Sequence, residues 1–397
     1  MKMKLTYVNY IISFISFLLA LYLIESFLEI SNILQKTKQK RVDLEFRNKV
    51  KLANNVGIKF DERSMIEVHH DFKKDGIESR LIVKPTKFIS TDGILINGEK
   101  IFPLAGISNI LTINCNENGK VSTYISDRFG FSNDDSVWDE NEIETLIIGD
   151  SFAHGACVDQ DEGFAKNLKN LSNKNVVNLG FGANGPLLEY ATYVEYGREL
   201  KAKNVLWFYY EGNDLRNLRN EINSDILLNY INKNFVQNLK NKQTKIDVYL
   251  QNYLNKNISN TKKNKKKINL FKILKFGNLR DILITSNYVQ NYKNCKQENL
   301  DKFISIIKKL DTELTEKNSN LIFIYLPSYY RFENQMNFCK EKIIGLLNKN
   351  QIYYIDIYKE FFEKLDNPLL FFPFEKFGHY TADGYEEIAN IIYNKLY

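Results

Sequence analysis

Histidine is scarce in this chain of 397 residues: only His69, His70, His154 and His379 are present. So few imidazoles leave few candidates for a base or a metal ligand. His69 and His70 adjoin in "VHHDF" with no third ligand at a suggestive spacing, and they are expected at the surface. Cysteine is equally sparse. Cys115, Cys157, Cys295 and Cys339 form no CxxC pair, which excludes zinc-ribbon and dithiol redox patterns, so no metal is expected. In an exported domain four cysteines permit two disulfides in any of three pairings; buried free thiols are the alternative. Cys157 lies six residues after Ser151, so a bond there would brace that loop. Charge of one sign is also lacking. A net charge of +6 is mild at this length and gives no ground for a nucleic-acid partner.

Long apolar runs occur once. After "MKMK" comes "LTYVNYIISFISFLLALYLI", about 20 mostly apolar residues, enough to cross a bilayer as a helix. No small-x-small cleavage site follows, so residues 5–30 are expected to be an uncleaved single-pass anchor. Lys2 and Lys4 hold the N-terminus on the cytoplasmic side, opposed by the basic run Lys36 to Arg41. The expected orientation leaves the body exported, periplasmic or extracellular.

The rest is globular in composition, with 44% hydrophobic and 26% charged residues. Residues 31–143 are expected to form a charged stalk and then a small β-rich region ("RLIVKPTKFIS", "DGILING", "LTINCNENGKVSTYISD"). From Glu144 onward continuous apolar runs alternate with helical segments: "TLIIGDS", "NVVNLGF", "NVLWFYY", "NLIFIYLP" and "QIYYIDIY". Such runs predict strands covered on both faces, hence an α/β domain with a parallel sheet over 144–397. Residues 216–300 are too long for a plain connection and are expected to be a helical insertion with a basic loop at Lys262–Lys267. In such sheets ligands bind beyond the carboxyl ends of the strands, where Ser151 and Asn213 fall.

A serine hydroxyl needs a base to take its proton and donors to meet the oxyanion. His154, three residues after Ser151, is poorly placed for an in-line base, whereas His379 directly precedes a C-terminal amphipathic segment. Elimination points to His379.

At these residues the chain resembles the SGNH/GDSL hydrolases, serine esterases and acyltransferases on a three-layer flavodoxin-like sheet. "GDSFAHG" matches their first block, so the resemblance makes Ser151 the nucleophile. "VVNLGFGANGP" resembles the second block, whose glycine N–H enters the oxyanion hole; the usual glycine position falls on Ala183, with Gly182 just before it. "YYEGNDL" matches the third and gives Asn213 the side-chain oxyanion contact, and His379 stands where the last block has its base.

One departure matters. The family places Asp three residues before the histidine, and Lys376 stands there. Three accounts are open: Glu375 substitutes as the orienting acid; a backbone carbonyl holds the ring; or the site is weakened, unless Asp383 helps. Asp383 is otherwise expected to cap the last helix. Asp150 is expected to order the nucleophile turn.

The resemblance implies a membrane-anchored ester hydrolase, without metal or organic cofactor, that removes acetyl or other short acyl groups from a carbohydrate. The alternatives are an O-acetyltransferase acting on an envelope polysaccharide and a non-catalytic polysaccharide-binding or scaffold protein. Oligomeric state is not readable from the sequence.

Overall fold

The computed structural model describes residues 2–261, 270–283, 295–334, 339–376 and 378–397. The basic loop expected at Lys262–Lys267 lies outside them. The chain forms two compact units, one of residues 1–51 with 260–294, the other of residues 52–259 with 295–397.

In the first unit the helix Lys2–Ser31 contains a stretch, Tyr7–Ser31, long and apolar enough to cross a membrane. Glu25 and Glu29, near its end, are buried within this unit. The Glu25 carboxylate accepts from the N–H groups of Asn278 (2.7 Å) and Leu279 (2.9 Å), and Glu29 from the Asn278 side-chain amide (3.1 Å).

Among the described residues ten short strands order the second unit: β1 Ser79–Leu81, β2 Ile94–Ile96, β3 Glu99–Ile101, β4 Leu111–Ile113, β5 Thr123–Ile125, β6 Thr145–Gly149, β7 Val176–Asn178, β8 Asn204–Tyr210, β9 Asn320–Leu326 and β10 Tyr354–Asp356. The last five make one parallel sheet in the order β10-β9-β8-β6-β7. Counted from β6 this is 2-1-3-4-5, the flavodoxin-like doubly wound order, whose reversal point lies between β6 and β8. The five apolar runs of the sequence become these five strands.

Alternation along the strands feeds two layers. Ile147, Leu206 and Phe208 pack with Phe164, Leu168, Tyr385 and Ile388 of the helices Phe164–Ser172 and Ala382–Leu396. Leu146, Ile148, Val205, Trp207 and Tyr209 face the other way, against Leu187, Tyr190, Phe303 and Ile307. That second core also takes in Val83, Phe88, Phe102 and Phe131 from the β-rich region, and Leu218, Leu227, Ile246 and Leu250 from the segment after β8. The region ahead of Glu144 therefore shares its core with the parallel sheet, and so does the segment after β8 as far as Leu254, most of the stretch expected to be an insertion.

Two disulfides join distant segments, Cys115–Cys157 with Cα atoms 5.0 Å apart and Cys295–Cys339 at 6.0 Å. The helix Ala382–Leu396 is capped by Thr381, whose hydroxyl accepts from the Gly384 N–H, so the cap expected of Asp383 falls two residues earlier. A threonine has the short oxygen-bearing side chain a cap requires, and Asp383 sits in the first turn, where its charge suits the helix dipole.

A shared core predicts shared stability. Phe131, fully buried against Trp138, Phe181 and Tyr196, lies ahead of the sheet in sequence. Phe131→Ala is expected to destabilise the unit by about 3–5 kcal/mol. Calorimetry should show one transition moving to lower temperature as a whole; a separate early transition would mean that the β-rich region folds independently.

Candidate active site

Strand β6 ends at Gly149, and Asp150 turns the chain into the short helix Ser151–His154. The Asp150 carboxylate accepts from the Phe152 N–H at 2.8 Å, the ordering role expected of it. Complete burial raises its carboxyl, opposed by that N–H and by the Asn213 amide. Ser151 thus stands at the carboxyl end of β6 beside the reversal point of the sheet, with Asn213 just beyond β8.

The segment before Ala382–Leu396 brings in His379. Its Nε2 lies 2.8 Å from Ser151 Oγ, and its Nδ1 lies 3.0 Å from the Glu117 carboxylate. The same Glu117 oxygen accepts from the His379 backbone N–H at 2.6 Å. A carboxylate only accepts, so Nδ1 carries the proton and Nε2 is left with a lone pair toward the serine hydroxyl. Serine, imidazole and carboxylate form an unbroken relay.

Glu117 was not among the candidates the sequence offered. It sits in the loop between β4 and β5, more than 250 residues before His379, in the region ahead of the sheet. Glu375 does not take this position: its carboxylate is exposed and accepts from the Asn367 side chain at 3.0 Å. Its backbone is turned away in a left-handed conformation, φ +55°. Nor does a carbonyl hold the ring, because Glu117 occupies Nδ1. Glu117 lies two residues after Cys115, which bonds Cys157, six after Ser151; the sequence alone leaves that pairing open, so nothing in it marked Glu117.

Gly378 completes the fit. Its φ is +148°, and a Cβ there would come within 2.7 Å of the Glu117 carboxylate, so only glycine lets that carboxylate reach both donors of His379. Glu117, Cys157 and His379 also lie close enough together to suggest a metal site. The disulfide consumes the Cys157 sulfur, which leaves too few donors to hold an ion.

On the other side of Ser151 runs the loop after β7. Phe181 and Asn184 donate to backbone carbonyls, but the N–H groups of Gly182 and Ala183 do so to none among the described residues. Ala183 has φ +67°, the left-handed conformation that glycine adopts without strain, at the position where the resemblance expects glycine. Asn217 pins the loop by donating to the carbonyls of Ala183 and Asn184, each at 3.1 Å. Behind it, Glu221 receives the N–H groups of Gly185, Leu187 and Leu188; burial pushes its carboxyl up to about 7. The Asn213 side chain lies beside Asp150, and its carbonyl oxygen has no hydrogen-bond partner.

His154 is buried under this loop with Nδ1 3.2 Å from the Gly180 carbonyl, and burial pushes its imidazole down to about 4. It faces the loop backbone rather than Ser151. His69 is half-buried against the Ser79 hydroxyl, 3.1 Å away, rather than fully at the surface.

No family model and no curated protein matches the chain. Among solved structures, similar folds include a protein assigned to the lipolytic G-D-S-L family from Desulfitobacterium hafniense (14% identity, TM-score 0.37, 64% of this chain and 98% of that one). An acetyl xylan esterase gives 12% identity and TM-score 0.37, over 64% of this chain and 100% of its own. A catalytic mutant of an acetylxylan esterase from Geobacillus stearothermophilus gives 12% and 0.34, over 63% and 92%. The fold itself is read from the strand order and the layers.

Two predictions follow from this geometry. Glu117→Gln keeps the shape but no longer favours the Nδ1–H tautomer or the charged ring, so turnover of an aryl ester should fall by about 10²–10⁴. Glu375→Gln should fall within twofold of the parent; equal losses in both variants would remove Glu117 from its place. The second concerns pH. An unfolded His154 gains a proton below its ordinary pKa of 6.5, and the buried one resists until about 4. Its neutral form therefore contributes stability above pH 6.5 that is lost as pH falls toward 4, up to about 3 kcal/mol. Urea melts of parent and His154→Gln at pH 4 and pH 7 should show the parent losing more on acidification by roughly that amount.

Proposed function

We propose that this protein is a serine ester hydrolase that removes acetyl or other short acyl groups from carbohydrate. The observation that carries the reading is the continuous hydrogen-bonded line from Ser151 through His379 to Glu117. A domain retained for binding alone has no use for a serine, an imidazole and a carboxylate aligned in the order that general-base catalysis needs.

In the proposed reaction the Ser151 hydroxyl proton passes to His379 Nε2 while Oγ forms a bond to the ester carbonyl carbon. The negative charge moves to the carbonyl oxygen, where the N–H groups of Ser151 and Gly182 or Ala183 and the Asn213 amide receive it. His379 is now doubly protonated, and Glu117, still ionised, stabilises it across Nδ1. As the tetrahedral carbon collapses, the bond to the sugar oxygen breaks and that oxygen takes the Nε2 proton. Water then attacks the acyl-enzyme, gives a proton to Nε2, and Ser151 leaves with that proton restored. Glu117 never needs to accept it.

The N-terminal helix is read as a membrane anchor and the catalytic body as exported. Two disulfides support that side, because such bonds persist in oxidising compartments.

A fluorophosphonate probe tests the chemistry. Intact-mass and peptide analysis should find one adduct, on Ser151, and His379→Ala should reduce labelling by about 100-fold or more. Folded protein that takes no label would overturn the mechanism.

A further inference from the structure

Beside the oxyanion loop stands a lysine that the relay does not use. Lys84 comes from the β-rich region, directly before the turn Pro85–Thr91. Its side chain lies along Gly182: a Cβ built on that glycine would be 3.3 Å from Lys84 Cε and 3.7 Å from Nζ. Gly182 is thus a place where a larger residue would press on the ammonium stem. Lys84 is half-buried, and its ammonium makes no hydrogen bond or ion pair among the described residues. The carboxylates of Asp150 and Glu117 pull on its charge, but both are already engaged, one with Phe152 and Asn213 and the other with His379.

From the same loop a groove of about 600 Å³ opens outward. Thr86 and Ser90 line it from the segment that follows Lys84, Asn217, Asn220 and Asn223 from the helix Asp214–Glu221 and its end, and Ala183 from the oxyanion loop. Asn217 and Asn220 are one turn apart on the helix, and the side-chain amides of Asn217 and Asn223 already donate to backbone carbonyls, which leaves their oxygens to accept from incoming hydroxyls. No carboxylate is among the lining residues. Hydroxyls and amide oxygens along a wall suit the hydroxyls of a sugar chain, and Lys84 adjoins that wall, two residues before Thr86 and against Gly182, the neighbour of Ala183.

We propose that Lys84 and this groove form a subsite for an anionic sugar, with Lys84 receiving a carboxylate or phosphate carried close to the esterified hydroxyl. The proposal rests on the hydrolase reading above and adds the charge of the substrate to it. A half-buried ammonium is left partly desolvated until an anion meets it, and burial lowers its pKa accordingly. A salt bridge formed only when substrate is present gives selectivity for that anion over a neutral analogue.

The test uses the full-length protein and three acetyl esters: an acetylated oligogalacturonate, an acetylated sugar phosphate and an acetylated neutral xylo-oligosaccharide. The parent is expected to prefer one of the anionic esters in kcat/KM, and which of the two identifies the anion. Lys84→Met, which keeps the stem, should lower kcat/KM on that ester at least tenfold more than on the neutral one. The loss should appear mainly in KM, Lys84→Arg should recover part of it, and 1 M salt should shrink the parent's preference. No preference in the parent, or equal loss on charged and neutral esters, would overturn the subsite; equal loss would instead make Lys84 a general electrostatic support of the oxyanion. If no ester is turned over at all, the hydrolase reading fails separately. Calorimetric binding of deacetylated oligogalacturonate and of a sugar phosphate to the parent and to Lys84→Met then decides the subsite: at least tenfold weaker binding of either in the variant supports it, and unchanged binding of both overturns it.

Discussion

One carboxylate oxygen, on Glu117, accepts from both the backbone and the ring of His379, and the candidate active site is organised around that double bond. The backbone contact fixes where His379 sits, and the ring contact fixes which nitrogen faces Ser151. Both demand that the loop between β4 and β5 reach the end of the chain. The Cys115–Cys157 bridge holds that loop against the nucleophile segment, and Gly378 leaves room for the carboxylate. Strand order supplies the frame, since Ser151 and the loop after β7 are set by adjacent parallel strands.

The electrostatics around Ser151 divide by depth. Beneath the site, burial favours neutral groups: the His154 imidazole is held unprotonated, and the carboxyls of Glu221 and Asp150 are raised. Nearer the surface the Glu117 carboxylate meets His379, and the Lys84 side chain lies along Gly182. This arrangement suits acyl transfer, in which charge develops on one oxygen and must be met by fixed dipoles rather than by a reorganising environment.

The β-rich region ahead of the sheet is part of this machinery. It contributes Glu117 to the relay, Thr86, Ile89 and Ser90 to the groove, and Phe88, Phe102 and Phe131 to the core that supports both. Burying those aromatics in the same core as the parallel sheet makes the placement of Glu117 reproducible. A carboxylate on a loosely attached region would spend much of its time away from the imidazole.

Sequence alone determined the parts that depend on local pattern. The apolar runs became β6–β10 because strands covered on both faces must be continuously apolar, and "GDS", "GND" and the late histidine were legible because they sit at strand ends and helix starts. A single apolar run of membrane-spanning length was legible for the same reason. What only the tertiary structure decided was the partner of His379. Local reading left Glu375, a backbone carbonyl and a weakened site all open, and backbone direction turned the Glu375 side chain toward Asn367. The acid came instead from a hairpin loop distant in sequence, through a disulfide whose pairing four cysteines leave threefold ambiguous. Hydrogen bonding to an imidazole constrains position and direction but not distance along the chain, so no periodicity or spacing could have marked Glu117 before the chain was folded.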